Sequence, residues 1–240
     1  MPFELVSFST AKDLAADVAR RWRDRVRSAA VKGTSHPVAV SGGRIAVDLF
    51  QAVVAQEPAN PASQDWKQVE FFWADERCVP PGHPDSNYRS ASQHLLGPLG
   101  IPENNIHRII GEIDPVESAR QASEGLRVRV PTGTDGIPIL DLVLLGMGED
   151  GHVASLFPGA EPLVTDAKEP FISVTGPKPP PLRVTMTFAT LAAAREVWVL
   201  VSGSGKENAL RNSMADGGLT PLGRLLQMRG AVLFSSVPLV

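Results

Sequence analysis

A histidine and an aspartate two residues apart, set in a glycine-rich turn, are the part of this chain best suited to acid–base chemistry. The almost wholly apolar segment Leu140 to Leu145 runs into a turn holding Gly146, Gly148 and Gly151, and that turn carries Asp150 and His152. Imidazole exchanges protons near neutral pH, and a neighbouring carboxylate can orient it. Open α/β sheets bind ligands beyond the carboxyl ends of their strands, so a turn in this place displays whatever it carries. A plainer reading stands beside this one: Asp150 caps the small helical patch expected after His152, and the imidazole is satisfied by backbone.

Three further segments follow the same plan, an apolar strand ending in glycine or charge. Ser41-Gly42-Gly43-Arg44 lies at a strand-to-helix junction, where free backbone N–H groups and the helix dipole favour an anion. Arg44 in the first helical turn opposes that dipole unless an anion accompanies it. Asp75-Glu76-Arg77 follows Phe71-Phe72-Trp73 and reads either as a self-contained ion-pair network or as part of a site. Lys206 follows Val201-Ser-Gly-Ser-Gly205 and opens a helix; the spacing is not that of a P-loop, but a lysine there can meet a second phosphate oxygen. A fourth segment, Lys178-Pro-Pro-Pro-Leu-Arg183, would hold two cations at fixed separation through polyproline geometry, or form a solvated linker.

Several chemistries are not expected. His83 and Asp85 could join His152 around a metal, but no compact His or Cys spacing supports one, so no metal is expected. There is no G-x-S-x-G elbow, and the lone Cys78 reads as a small buried filler.

The elements that must position these residues are legible from periodicity. The chain has 240 residues, 43% apolar and 20% charged, enough for one large core, and a single domain over 1–240 is expected. Apolar residues Leu14, Ala15, Val18, Ala19, Trp22 and Val26 mark a helix capped by Ser9 or Thr10. Its arginines, 20, 21, 23, 25 and 27, are broken by Asp13, Asp17 and Asp24 and read as a solvated face. Strands are expected at Pro37–Ser41, Val69–Trp73, Leu140–Leu145, Phe171–Val174, Arg183–Phe188, Glu196–Val201 and Ala231–Ser235. Helices are expected at about 44–55, from Ser86 to Leu96, at 114–129, near Lys206–Met214 and near Pro221–Gln227. Residues 57–68 read as a surface connection. Strands alternating with helices predict an α/β fold with a mostly parallel sheet covered by helices on both faces.

The net charge of −3 argues against nucleic-acid or membrane partners. With one cysteine, no apolar run of roughly 20 residues and no basic-then-apolar leader pattern at Met1–Val6, a cytoplasmic protein is expected.

Taken together, the segments resemble the 6-phosphogluconolactonase family. The turn from Gly146 to Gly159, Asp75-Glu76-Arg77 followed by Asp85-Ser86-Asn87, and Lys178-Pro-Pro-x-x-Arg183-Val-Thr185 occur in that family in this order. The resemblance spans roughly Pro37 to Leu210. It implies a modified Rossmann-like fold of the sugar-phosphate isomerase type and cofactor-free hydrolysis of 6-phospho-D-glucono-1,5-lactone in the oxidative pentose phosphate pathway. It further implies that His152 activates water with Asp150 beside it. Arg77, Lys178, Arg183 and Lys206 would then hold the substrate and its phosphate. Ser41, Gly42, Gly43, Arg44 and Asp75 are expected to line the same substrate site, and a monomer is expected. Two departures stand out. The family usually has Thr-Pro where this chain has Ile45-Ala46, and no aspartate follows the last strand. A glucosamine-6-phosphate deaminase-like isomerase is one rival, although Ser155-Leu-Phe-Pro158 lacks the glutamate such enzymes carry past the histidine. A non-catalytic sugar-phosphate sensor is another.

Overall fold

The computed structural model describes residues 3–57, 64–159 and 167–238. Six parallel strands form the main sheet: β1 (Phe3–Ser7), β2 (His36–Val40), β3 (Val69–Trp73), β5 (Leu142–Gly146), β8 (Glu196–Val201) and β9 (Ala231–Ser235), in the order β1-β9-β8-β5-β2-β3. All five residues of β2 are buried, as a strand covered on both faces requires. After β2 the chain moves outward to β3, whereas after β5 it moves the other way to β8. The carboxyl ends of β2 and β5 therefore flank a crevice, the place where doubly wound sheets bind ligands.

A second sheet of three antiparallel strands, in the order β4-β7-β6, is built from β4 (Asp75–Arg77), β6 (Phe171–Thr175) and β7 (Leu182–Met186). It stands over the crevice. The expected mostly parallel sheet is present, with this antiparallel sheet beside it. The Asp-Glu-Arg run, read as a polar strand end, is itself a strand. Its alternation sends Asp75 and Arg77 to one face and Glu76 to the other.

The helices form as their periodicity dictates. Helix α1 (Ala11–Lys32) is capped by Thr10, whose hydroxyl accepts from the Asp13 N–H, and ends on left-handed Gly33. The buried face is the one read from spacing, and Trp22 meets Trp66 edge-on at 5.3 Å between ring centroids. The opposite face is laced by Arg20–Asp17, Arg21–Asp17, Arg23–Glu57 and Arg25–Glu196 pairs. Helix α2 (Arg44–Gln56) follows β2; α3 (Asn87–Ala91) continues through a π turn, Ser92–Leu96, into α4 (Gly97–Leu99). Then come α5 (Pro115–Arg129), α6 (Phe188–Ala193), α7 (Glu207–Met214) and α8 (Pro221–Met228).

Four local expectations change. β1 was not foreseen; it pairs with β9 as an edge strand. The 57–68 connection lies partly outside the described residues, and its end, Gln64–Gln68, is a 3-10 turn burying Trp66. The strand expected to reach Phe188 stops at Met186, because the Thr187 hydroxyl caps α6 through the Thr190 N–H. Among the described residues that directly follow His152, 153–159, there is no helical patch. The chain makes turns there, with Val153 bridging Leu156.

Candidate active site

The crevice contains a cavity of about 310 Å³ lined by Ser41, Gly42, Gly43, Arg44, Asp75, Arg77, His152, Arg183 and Lys206, all singled out by sequence, together with Asn87, Ser202 and Gly203.

The first wall is the β2–α2 junction. Gly43 has φ +97, which L side chains rarely adopt. A Cβ on Gly42 would fall 1.9 Å from the Asn87 Oδ1, so this glycine admits the Asn87 carboxamide. No side chain caps α2, leaving its first N–H groups facing the cavity. Across from it lies Gly203 at φ +93, where an added Cβ would fall 3.8 Å from an Arg44 terminal nitrogen. Lys206 stands nearby, and its pKa is lowered from the ordinary lysine value by burial first and by the Arg44 charge second, against the opposing pull of Glu149.

The second wall is the small sheet. Arg77 and Arg183 are direct cross-strand partners, and like charges so placed repel. Arg77 donates to the Asp85 carbonyl and Arg183 to the Lys178 carbonyl at 3.3 Å. Burial, then the Arg77 charge, pulls the Arg183 pKa below its ordinary value. Glu76, on the other face, accepts from the backbone N–H groups of Arg77, Asn87 and Tyr88 and from the Ser86 hydroxyl, tying β4 to the start of α3. Burial raises the Glu76 pKa in spite of those donors. Asp75 is likewise spoken for: its Oδ2 accepts from the Ser155 hydroxyl at 2.7 Å and its Oδ1 from the Asn87 amide at 3.3 Å.

The third wall is the His152 turn. The His152 Nδ1 lies 2.5 Å from Asp150 Oδ1, which also accepts the His152 backbone N–H at 3.1 Å. Partial burial of Asp150 is outweighed by these two bonds, and its pKa is lowered. With Nδ1 engaged, Nε2 is the ring nitrogen left for other chemistry. A Cβ on Gly148 would sit 2.1 Å from the His152 Nδ1 and 2.7 Å from Asp150 Oδ1, so only glycine lets this pair form. The His152 ring packs at 4.8 Å against Phe157, and the Arg183 guanidinium stacks on the same Phe157 ring at 5.6 Å. A Cβ on Gly151, φ +80, would fall 2.7 Å from the Thr220 Cβ, and the Gly151 carbonyl accepts from the Leu222 N–H, seating the turn on α8.

Arg44, Arg77, Arg183 and Lys206 make no ion pair with a carboxylate among the described residues. Ser41 Oγ, Arg77 Nε, Asn87 Oδ1 and Arg183 Nε are buried without a hydrogen-bond partner among the described residues. Leaving such groups unmade costs about 1–3 kcal/mol each, so their convergence marks a site shaped for a polar, anionic guest. Among the described residues no cluster of three or more His, Cys, Asp or Glu is placed to hold a metal, and no helix is long and apolar enough to cross a membrane.

Lys178 departs from expectation. Its side chain is exposed and does not line the cavity; only its carbonyl is used, by Arg183. Asn87 is the residue that sequence reasoning passed over as a site member, although its place one residue after the Ser86 cap, beside a charged strand end, was visible. Cys78 is half-buried against the core, and burial raises its thiol pKa.

A six-strand parallel sheet with a cation-lined cavity at its switch point defines an α/β protein that handles anionic small molecules. The sequence model for glucosamine-6-phosphate isomerases/6-phosphogluconolactonase matches residues 9–233, and the chain belongs to that family. It is 36% identical over 215 residues to a 6-phosphogluconolactonase of Streptomyces coelicolor, covering 86% of this chain and 81% of that protein. It is 34% identical over 220 residues to a probable chloroplastic 6-phosphogluconolactonase of Oryza sativa subsp. indica, covering 89% and 67%. The 6-phosphogluconolactonase structure from Trypanosoma brucei superposes with a TM-score of 0.83 at 27% identity, covering 98% of this chain and 97% of that one.

Proposed function

We propose that this chain is a 6-phosphogluconolactonase, a hydrolase of carbohydrate metabolism that opens 6-phospho-D-glucono-1,5-lactone, with His152 as general base. The observation that carries the reading is the meeting, in one cavity, of an aspartate-oriented imidazole with four cations and four buried polar atoms that lack protein partners. The names of the relatives in bacteria and plants support the same reading.

The residues divide the work between two ends of the cavity. The N-terminus of α2, Ser41, Arg44 and Lys206 take the phosphate, because free N–H groups and paired cations suit a dianion. The lactone then lies toward His152, Arg77 and Arg183. The His152 Nε2 removes a proton from water as the oxygen attacks the lactone carbonyl carbon. The carbonyl oxygen becomes an oxyanion, and the guanidinium groups stabilise it in a partly buried setting. Collapse breaks the bond to the ring oxygen, and the imidazolium returns its proton to that leaving oxygen. The product carboxylic acid ionises, so one proton is released per turnover. Asp150 fixes the ring orientation through its bonds to the His152 Nδ1 and backbone N–H.

No cofactor has a role in this sequence of steps. The molecule acts as one domain, a monomer with a small-molecule substrate, located in the cytoplasm; one continuous hydrophobic cluster supports the single domain. Against a deaminase stands Ser155, whose hydroxyl is already held by Asp75, with no carboxylate from Ser155 to Pro158. The test is acid release from freshly made lactone, corrected for spontaneous opening, run beside ammonia release from glucosamine 6-phosphate. Catalysed acid release without ammonia is expected; ammonia release, or no rate above the uncatalysed one, overturns the reading.

A further inference from the structure

We infer that Ser155 and Thr185, neither of which touches the reacting atoms, are positioning residues that hold the His152 turn in its working shape, with Asp75 as their shared anchor. The inference rests on the lactonase reading and asks what keeps its base in place. Ala154 has φ +48 and is, among the described residues, the one non-glycine in the left-handed region. That conformation costs about 1–2 kcal/mol for a residue with a Cβ, and it persists only where surroundings over-determine it. It lies two residues from His152.

The restraint begins at the next residue. Ser155, 1% exposed, is fixed at both its polar groups: its N–H donates to the Thr185 Oγ1 at 3.1 Å, and its hydroxyl donates to Asp75 Oδ2 at 2.7 Å. Asp75 and Thr185 are themselves cross-strand partners in the small sheet, and both are buried. One strand pair therefore grips one residue of the turn at two points, immediately after the strained peptide. The Asp75 Oδ1 and carbonyl also receive the Asn87 amide, and Asn87 packs on Gly42. Hydrogen bonds and contact thus run unbroken from the base's turn to the phosphate cradle. An anionic Asp75 among phosphate-binding cations is poorly suited to touching the phosphate, and both its oxygens are already engaged. Its service is to connect the two ends.

The test uses Thr185, which is fully buried and does not line the cavity. Thr185→Val keeps the shape and removes the acceptor of the Ser155 N–H, whereas Thr185→Ser keeps the acceptor. Both are assayed on fresh lactone well below their melting temperatures, with product binding measured by calorimetry. Thr185→Val should lower kcat roughly 10- to 100-fold, the scale of a misplaced catalytic group, with KM and product affinity within about twofold. Thr185→Ser should restore kcat to within about threefold. Ser155→Ala, which removes the bond to Asp75, should show the same split and serves if Thr185→Val does not fold. Wild-type kcat in Thr185→Val, or losses equal in the Val and Ser variants, overturns the inference. An inactive wild type would instead overturn the lactonase reading.

Discussion

Strand β5 has a histidine–aspartate pair at each end, and the two pairs differ in everything except composition. At the amino end, His36 Nδ1 meets Asp141 Oδ2 at 3.1 Å, Asp141 is also held by Arg195 at 3.0 Å, and His36 is 5% exposed. At the carboxyl end, His152 meets Asp150, which pairs with no Lys or Arg among the described residues; about a third of the His152 side chain is exposed, and it lines a cavity whose cations make no ion pair among the described residues. The amino-end aspartate is neutralised inside the protein, so that pair is a strut. The carboxyl-end pair stands among cations that the protein leaves unsatisfied. Pairing of residue types does not make a site; the missing counter-charge does.

The comparison can be broken most severely at Gly148. Gly148→Ala must displace both the His152 ring and the Asp150 carboxylate, and kcat should fall about 100-fold or more while the fold, read by circular dichroism, is kept. A fully active variant would mean the pair is not needed in this shape.

Next come the cations. Arg183→Ala and Lys206→Ala should each weaken capture by about 10- to 100-fold, as the loss of a charge-assisted hydrogen bond worth about 1.5–3 kcal/mol requires. If the two ends are divided as proposed, Lys206→Ala acts chiefly on KM and Arg183→Ala on kcat as well; the reverse pattern would exchange the ends. The lowered Lys206 pKa adds a pH signature. A lysine whose pKa is depressed loses its charge earlier as pH rises, so product binding should weaken below the ordinary lysine range. Lys206→Arg should remove that early loss, and calorimetric titrations of product across alkaline pH would read it.

His36→Ala should leave turnover per folded molecule unchanged and cost about 1–3 kcal/mol of unfolding free energy, since it empties a buried imidazole site and strips a partner from the half-buried Asp141 carboxylate. Urea unfolding measures this. The smallest effect is expected at Lys178: Lys178→Ala should leave kcat and KM within about twofold, and a large rise in KM would show the exposed ammonium reaching the substrate.

The sequence made the local parts of this molecule legible and left the long-range ones hidden. Strands β2, β5 and β8 announced themselves as apolar runs ending in glycine, and the cap residues Thr10 and Ser86 do what their types suggest. Nine residues read as site members line the cavity. Strand β4 was opaque because three consecutive charged residues contradict the pattern of a buried strand, and only the neighbours of Glu76 make its burial tolerable. Trp66 looked like part of a connection because its partner, Trp22, lies 44 residues away in sequence. The place of the Lys178 side chain, exposed and outside the cavity lining, was not legible, because a proline run fixes the backbone without fixing where a lysine side chain points. The order of the strands could not be read at all, since pairing such as β1 with β9 joins the two ends of the chain.

The most direct measurement sets His152→Ala beside His36→Ala on freshly prepared lactone, following proton release at constant pH and normalising to folded protein. His152→Ala should lose roughly 10²- to 10⁴-fold in kcat, the usual worth of a positioned base, and His36→Ala should turn over like the parent. Retained turnover in His152→Ala, or equal losses in both, would contradict the account.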